Sequence, residues 1–162
     1  MKKIRAKSPE ESETRMVEVV LPNDTNLLGN VLGGRVMHWI DIAGAVAARR
    51  HSQKPVVTAS MDVLTFKHPI KIGEVAILEA SIVYVGKTSM DVEVHVFSED
   101  SLTGKRKQTS TAYLTFVALD NKGKPTPVPK LKLKTEEQKK KFKQAEKMRE
   151  MRKRLKTENR LW

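Results

Sequence analysis

Asp41 lies in a run of small and apolar residues, with Gly34, Met37, Gly44, Ala45 and Ala48 around it at helical spacings. A carboxylate in such company is partly stripped of water, a setting suited to a general base or a nucleophile. The plain alternative is a solvated aspartate at the margin of a helix face. Gly33 and Gly34 stand where that helix begins. The first amides of a helix lack intrahelical partners and sit at the positive end of its dipole, so they can stabilise a developing oxyanion. Glycine also lets a ligand approach the backbone; a flexible turn leading into the helix is the competing reading. From Gly33 to Asp41 the helix rises about 12 Å at ~1.5 Å per residue. Both groups cannot touch one reacting carbonyl, which needs contacts of about 3 Å. If both act, they come from different copies of the chain, and catalysis requires a dimer.

The elements that must hold these groups follow from hydrophobic periodicity. Val36, Ile40, Ala43 and Ala47 recur at spacings of 4, 3 and 4, one face of a helix from about Gly33 to Arg50. Its many small residues predict a close-packed neighbour, and Arg49, Arg50 and His51 complement the negative end of its dipole. Arg15–Leu21 reads as a strand, followed by the turn formers Pro22-Asn23-Asp24-Thr25-Asn26. Past the helix, strands are predicted at Val56–Phe66, Val75–Val85, Ser89–Phe97 and Lys107–Leu119, joined by short hairpin-like turns. Such connections favour antiparallel pairing, giving an α+β domain with one long helix packed on one sheet. Residues 1–13 are polar and expected to be flexible, and residues 14–121 form the domain. Residues 122–162 are a Pro/Lys-rich linker and a basic tail, helical over Thr135–Arg160 with a thin stripe of Phe142, Ala145, Met148, Met151 and Leu155.

Composition excludes several other functions. The chain has no cysteine, which removes disulfides, thiolate metal sites and cysteine nucleophiles and fits a reducing, cytoplasmic setting. Aromatic residues make up 5%, too few for a base-stacking surface. No apolar run reaches the ~20 residues of a membrane span, and the basic start Met1-Lys2-Lys3 leads into no signal-like core. The net charge of +12 is localised: residues 122–162 hold 16 of the 31 Lys+Arg and 5 of the 19 Asp+Glu, a net of +11. A nearly neutral body argues against a nucleic-acid protein. The tail is expected to pack its stripe on a neighbouring subunit; attraction of nucleic acid or an anionic membrane is its alternative use. His38, His51, His68 and His95 form no pair at metal-binding spacing, so no metal site is expected. Gly86-Lys87-Thr88-Ser89 lacks the upstream glycine of a phosphate loop and is flanked by strands.

The run from Pro22 to Gly44, Pro-Asn-Asp-Thr-Asn-Leu-Leu-Gly-Asn-Val-Leu-Gly-Gly-Arg-Val-Met-His-Trp-Ile-Asp-Ile-Ala-Gly, resembles the signature of the hotdog-fold acyl-CoA thioesterases of the cytosolic, brain-type acyl-CoA hydrolase family. The likeness continues through Val57–Asp62, Phe66-Lys67-His68-Pro69 with Gly73, and Gly86–Met90. It implies a hotdog fold, a five- or six-stranded antiparallel sheet wrapped around the central helix, whose protomers join sheets edge to edge and often build hexamers as trimers of dimers. It implies acyl-CoA as substrate, hydrolysed to free fatty acid and coenzyme A without a further cofactor. Asp41 matches the family's helix carboxylate, Asn26 the loop residue from the partner subunit that orients water or thioester, and Gly33 the amide that polarises the carbonyl. Lys87, Thr88 and Ser89 become candidates for coenzyme A contact, with Lys67 and His68 beside them. The alternative from another class is a non-catalytic module that binds acyl-CoA or an acyl carrier, or nucleic acid through the tail.

Overall fold

The computed structural model describes residues 4–158. Five strands, β1 (Thr14–Val19), β2 (Val56–Phe66), β3 (Val75–Val85), β4 (Ser89–Glu99) and β5 (Arg106–Ala118), form one sheet in the order β1-β3-β4-β5-β2. Every neighbouring pair is antiparallel. Two helices flank it, α1 (Gly33–Ser52) and α2 (Glu136–Glu158). The strands after α1 lie within two residues of their expected bounds. Strand β1 is shorter than expected, because Val20 donates its amide to the Glu74 carbonyl outside the ladder and Leu21 opens a short 3-10 turn, Pro22–Asp24.

The core lies between the sheet and α1. Val36, Ile40, Ala43 and Ala47 are all buried, as are Met90, Val92, Val94 and Val96 of β4, whose alternate side chains face the helix. The helix packs so closely that a Cβ on Gly44 would stand 2.9 Å from the Phe116 ring. A larger residue there must displace a side chain of the core. Gln53, with φ 55°, closes α1 in the left-handed conformation and returns its amide to the Arg49 carbonyl.

The tail does not behave as expected. Instead of reaching for a neighbouring subunit, α2 lies on the outer face of its own sheet. Phe142 stacks on Tyr84 at 4.7 Å between ring centroids, and Ala145 is buried. Asp91 and Glu93, which alternate with the apolar residues of β4, are only 4% exposed because α2 covers them. Lys141 reaches Glu93 at 3.4 Å, Arg149 reaches Asp91 at 3.5 Å, and Arg152 bridges Asp91 at 3.2 Å and Asp62 at 2.7 Å. The acidic outer face of the sheet is thus neutralised by the basic tail. Met151 and Leu155, the end of the stripe, stay exposed. The helix is described to Glu158, and its expected end at Arg160 lies outside the described residues.

The amino terminus also differs from expectation. Lys7 pairs with the linker, its amide bonding the Lys130 carbonyl at 2.9 Å and its carbonyl the Lys132 amide at 2.7 Å. Ser8 and Ser12 are buried, so residues 7–13 are tied down rather than flexible. His51, fully buried at the end of α1, donates Nε2–H to the Pro129 carbonyl at 2.8 Å and fixes the same linker. Burial pushes its imidazole below the ordinary value, outweighing that hydrogen bond.

Candidate active site

The segment before α1 is ordered by its own short polar side chains. Asp24 accepts the Leu21 amide at 2.9 Å and pairs with Arg35 at 3.1 Å, fastening the loop to the first turn of the helix. Asn26 Oδ1 accepts the amides of Leu28 and Asn30, an Asx turn at whose tip Gly29 takes φ 75°. The Asn26 Nδ2 group makes no hydrogen bond within the described residues and remains exposed. Leu32 precedes the helix and offers no capping oxygen, so the amides of Gly33 and Gly34 are left without a side-chain cap. Gly33, Lys67 and His68 meet around one cavity of about 310 Å³, whose walls include Val36, Phe66 and Ile70. Its mouth therefore carries the positive end of α1 and two cationic or polar side chains, and its walls are largely apolar.

Asp41 lies farther along α1, half-buried. Its Oδ1 accepts a hydrogen bond from Thr58 Oγ1 at 2.6 Å. Thr58 stands in the helix-facing row of β2, opposite Phe116 in the register. Sequence reading gave Thr58 no role. The one signal it carried was a hydroxyl in that row of a strand, and nothing local says which turn of the helix it will meet. This bond fixes one oxygen of the carboxylate against β2.

Gly33 and Asp41 stay apart within one chain. Beyond the helical rise of about 12 Å, their neighbours on the sheet lie at opposite ends of β2. Thr58 pairs with Phe116, and Phe66 with Ser110. Those positions on β5 are about 20 Å apart at ~3.3 Å per residue. The structure thus keeps two groups apart: the uncapped amides with Lys67 and His68 around one cavity, which Asn26 of the preceding loop does not line, and the Asp41–Thr58 pair.

Lys87, Thr88 and Ser89 belong to the β3–β4 turn, at the Asp41–Thr58 end of the sheet. Ser89 is opposite Val117, which is opposite Val57, so the turn lies two strand spacings, about 10 Å, from β2. The Lys87 carbonyl accepts from Val128 at 3.0 Å and the Thr88 carbonyl from Ala118 at 2.9 Å. Ser89 Oγ is taken by Arg149 of α2 at 2.6 Å, which leaves exposed Lys87 and half-buried Thr88 as the groups able to reach a ligand. The turn is flanked by strands on both sides, not by a strand and a helix. Behind it, burial pushes the Asp91 carboxyl above its ordinary value against the opposing pull of Thr115, Arg149 and Arg152. Burial acts the same way on Glu93, but the hydrogen bonds and charges of His95 and Lys141 prevail and hold it below the ordinary value. Among the described residues no three His, Asp or Glu side chains converge as a metal site would require. No described helix is long and apolar enough to cross a membrane.

Comparison with known proteins agrees with this architecture. The thioesterase superfamily profile matches residues 28–105. An uncharacterised acyl-CoA thioester hydrolase of Bacillus subtilis is 42% identical over 71% of this chain and 67% of its own length. A hexameric acyl-CoA thioesterase, solved in its apo form, superposes with a TM-score of 0.89 at 42% identity, covering 93% of this chain and 97% of the other. The acyl-CoA hydrolase of Staphylococcus aureus, solved with butyryl coenzyme A, coenzyme A and coenzyme A disulfide, gives 0.88 at 36% identity over 95% and 94%. That hydrolase has also been solved with single alanine replacements of an aspartate, an asparagine and a threonine. With this sheet, this central helix and these similarities, the chain belongs to the thioesterase superfamily, among the hotdog-fold acyl-CoA thioester hydrolases.

Proposed function

We propose that this protein hydrolyses acyl-CoA to a free carboxylic acid and coenzyme A at a site shared between two copies of the chain. The observation that carries the proposal is the pairing of a fastened carboxylate, Asp41 on Thr58 at 2.6 Å, with uncapped helix amides that the same chain cannot bring to it. Strand β2 is an edge of the sheet, and Val57 and Phe66 on it are 47% and 49% exposed. Antiparallel pairing of two β2 strands about a twofold near their middle sets Thr58 of one copy against the Phe66 end of the other. Each Asp41 then faces the partner's Gly33. The hexameric assembly of a 42% identical relative supports such association. So do the residue types altered in the S. aureus relative, since Asp, Asn and Thr are the types this site offers at 41, 26 and 58.

In that site the thioester carbonyl accepts from the Gly33 amide, which stabilises the oxyanion as it forms. Asn26 Nδ2 donates to the attacking water or to the thioester oxygen. By one route Asp41 takes a proton from water as it attacks, and the tetrahedral intermediate expels coenzyme A as a thiolate, which collects the proton. By the other, Asp41 itself attacks, giving an acyl anhydride that water opens. A thiolate leaves readily, so water is the sole co-reactant required. Lys87 and Thr88, at the Asp41 end, are placed to meet the phosphate-bearing portion of coenzyme A. The test is thiol release from a panel of acyl-CoAs, with Asp41→Ala as control. Release by the wild type that falls on the order of 10²- to 10⁴-fold in the variant is expected; no release at any chain length by a folded oligomer refutes the proposal. Single turnover in ¹⁸O water separates the routes, since label in the Asp41 carboxylate requires the anhydride.

A further inference from the structure

Of the polar side chains around the cavity beside Gly33, Lys67 and His68 are exposed, whereas Ser110 is buried, and the mechanism gives it no part. Ser110 is the fifth member of the helix-facing row of β5, whose others are Ala112, Leu114, Phe116 and Ala118. It is opposite Phe66 on one side and Val96 on the other. Ser110 is 1% exposed, and its Oγ has no hydrogen-bond partner among the described residues. It lines the cavity with Gly33, Val36, Phe66 and Ile70. A buried hydroxyl without a partner is costly and uncommon, and calls for an occupant that supplies one. Alanine, as at position 112, fills the same row at no such cost.

We propose that this cavity is the acyl pocket and that Ser110 makes it selective for acyl groups bearing a hydroxyl or keto oxygen along the chain. This rests on the thioesterase reading above and names its substrate class. A thioester polarised at Gly33 directs its acyl chain into the apolar walls formed by Val36, Phe66 and Ile70. A plain alkyl chain leaves the Ser110 hydroxyl unpaired. An oxygen-bearing chain satisfies it, and serine serves either kind because its hydroxyl both donates and accepts. The cavity's 310 Å³ corresponds to about ten water-sized groups at ~30 Å³ each, room for a short substituted acyl group.

The experiment measures kcat/KM on length-matched pairs: butyryl- against 3-hydroxybutyryl- and acetoacetyl-CoA, and hexanoyl- against 3- and 5-hydroxyhexanoyl-CoA. At least one oxygen-bearing substrate is expected to exceed its plain partner by about 3- to 10-fold, one neutral hydrogen bond's worth. Ser110→Ala should abolish that ratio, raising the plain substrate and lowering the substituted one, while Ser110→Thr, which keeps the hydroxyl, should retain it. Equal rates within each wild-type pair, or a preference that survives Ser110→Ala, overturn the proposal while leaving the hydrolase reading intact. Absence of hydrolysis from every thioester overturns the hydrolase reading itself and this proposal with it.

Discussion

Two inactive variants of this protein, mixed, should produce an active one. Asn26→Ala removes the exposed amide of the loop that leads into α1, and Asp41→Ala removes the carboxylate held by Thr58 at 2.6 Å. Each homodimer carries its lesion in both sites. In a heterodimer one site takes Asn26→Ala from one chain and Asp41→Ala from the other, and its second site takes neither. Random pairing of a 1:1 mixture places half the dimers in the mixed form, so about a quarter of all sites regain every group. The expectation depends on the distances: Asp41 lies about 12 Å along α1 from Gly33, and the sheet positions beside them lie about 20 Å apart. Neither separation closes without unfolding the helix. The assay is thiol release with a chromogenic disulfide, after subunit exchange confirmed by native mass spectrometry of differently tagged chains. Recovery to about a quarter of wild-type turnover is expected. Activity that stays at the level of the parents after confirmed exchange would falsify the shared site, because a site within one chain always keeps a lesion.

Thr58→Val removes the hydrogen bond to Asp41 and keeps the shape; since the pair is partly exposed, the fall in kcat should be modest, about 5- to 20-fold, with KM little changed and Thr58→Ser restoring the rate. Turnover within twofold of wild type would remove Thr58 from the mechanism. Arg152→Ala leaves Asp91, 4% exposed, with Arg149 as its remaining cation among the described residues, and a loss of about 2–4 kcal/mol is expected in urea unfolding. Adding Asp91→Asn should recover part of that loss; a change below about 0.5 kcal/mol would mean that α2 is not held by these pairs. His51 has a folded-state value below the ordinary ~6.5, so the unfolded chain binds its proton first as pH falls. The stability it contributes is present above about pH 6.5 and is lost progressively below it. Thermal midpoints should therefore drop between pH 7 and 5, and His51→Gln should flatten that drop; parallel profiles would assign the acid sensitivity elsewhere.

Local chemistry alone settled much of this molecule. The 4, 3, 4 spacing of Val36, Ile40, Ala43 and Ala47 fixes a helix, and alternation through Met90, Val92, Val94 and Val96 fixes a strand, because side chains only a few positions apart already decide which face can be buried. The uncapped glycines at the helix start and the separation of Gly33 from Asp41 are equally local, and so the need for a second copy could be argued without a structure. What pairs across the fold could not be. Thr58 meets Asp41 from 17 residues away, and which helical turn it meets depends on how α1 crosses the sheet. Ser110 is one more serine on a strand until Phe66 and Gly33 close a cavity around it. The tail shows this most clearly. Asp91 and Glu93 read as the wet face of a strand, and Arg149 and Arg152 as a solvated helix, since each segment is polar for a sound local reason. Only when the linker is pinned by Lys7 and His51 does the chain turn back and lay the cations on the carboxylates. Charge complementarity between segments some 60 residues apart leaves no periodicity in either of them; it becomes visible only once the backbone has placed both on the same side of the sheet.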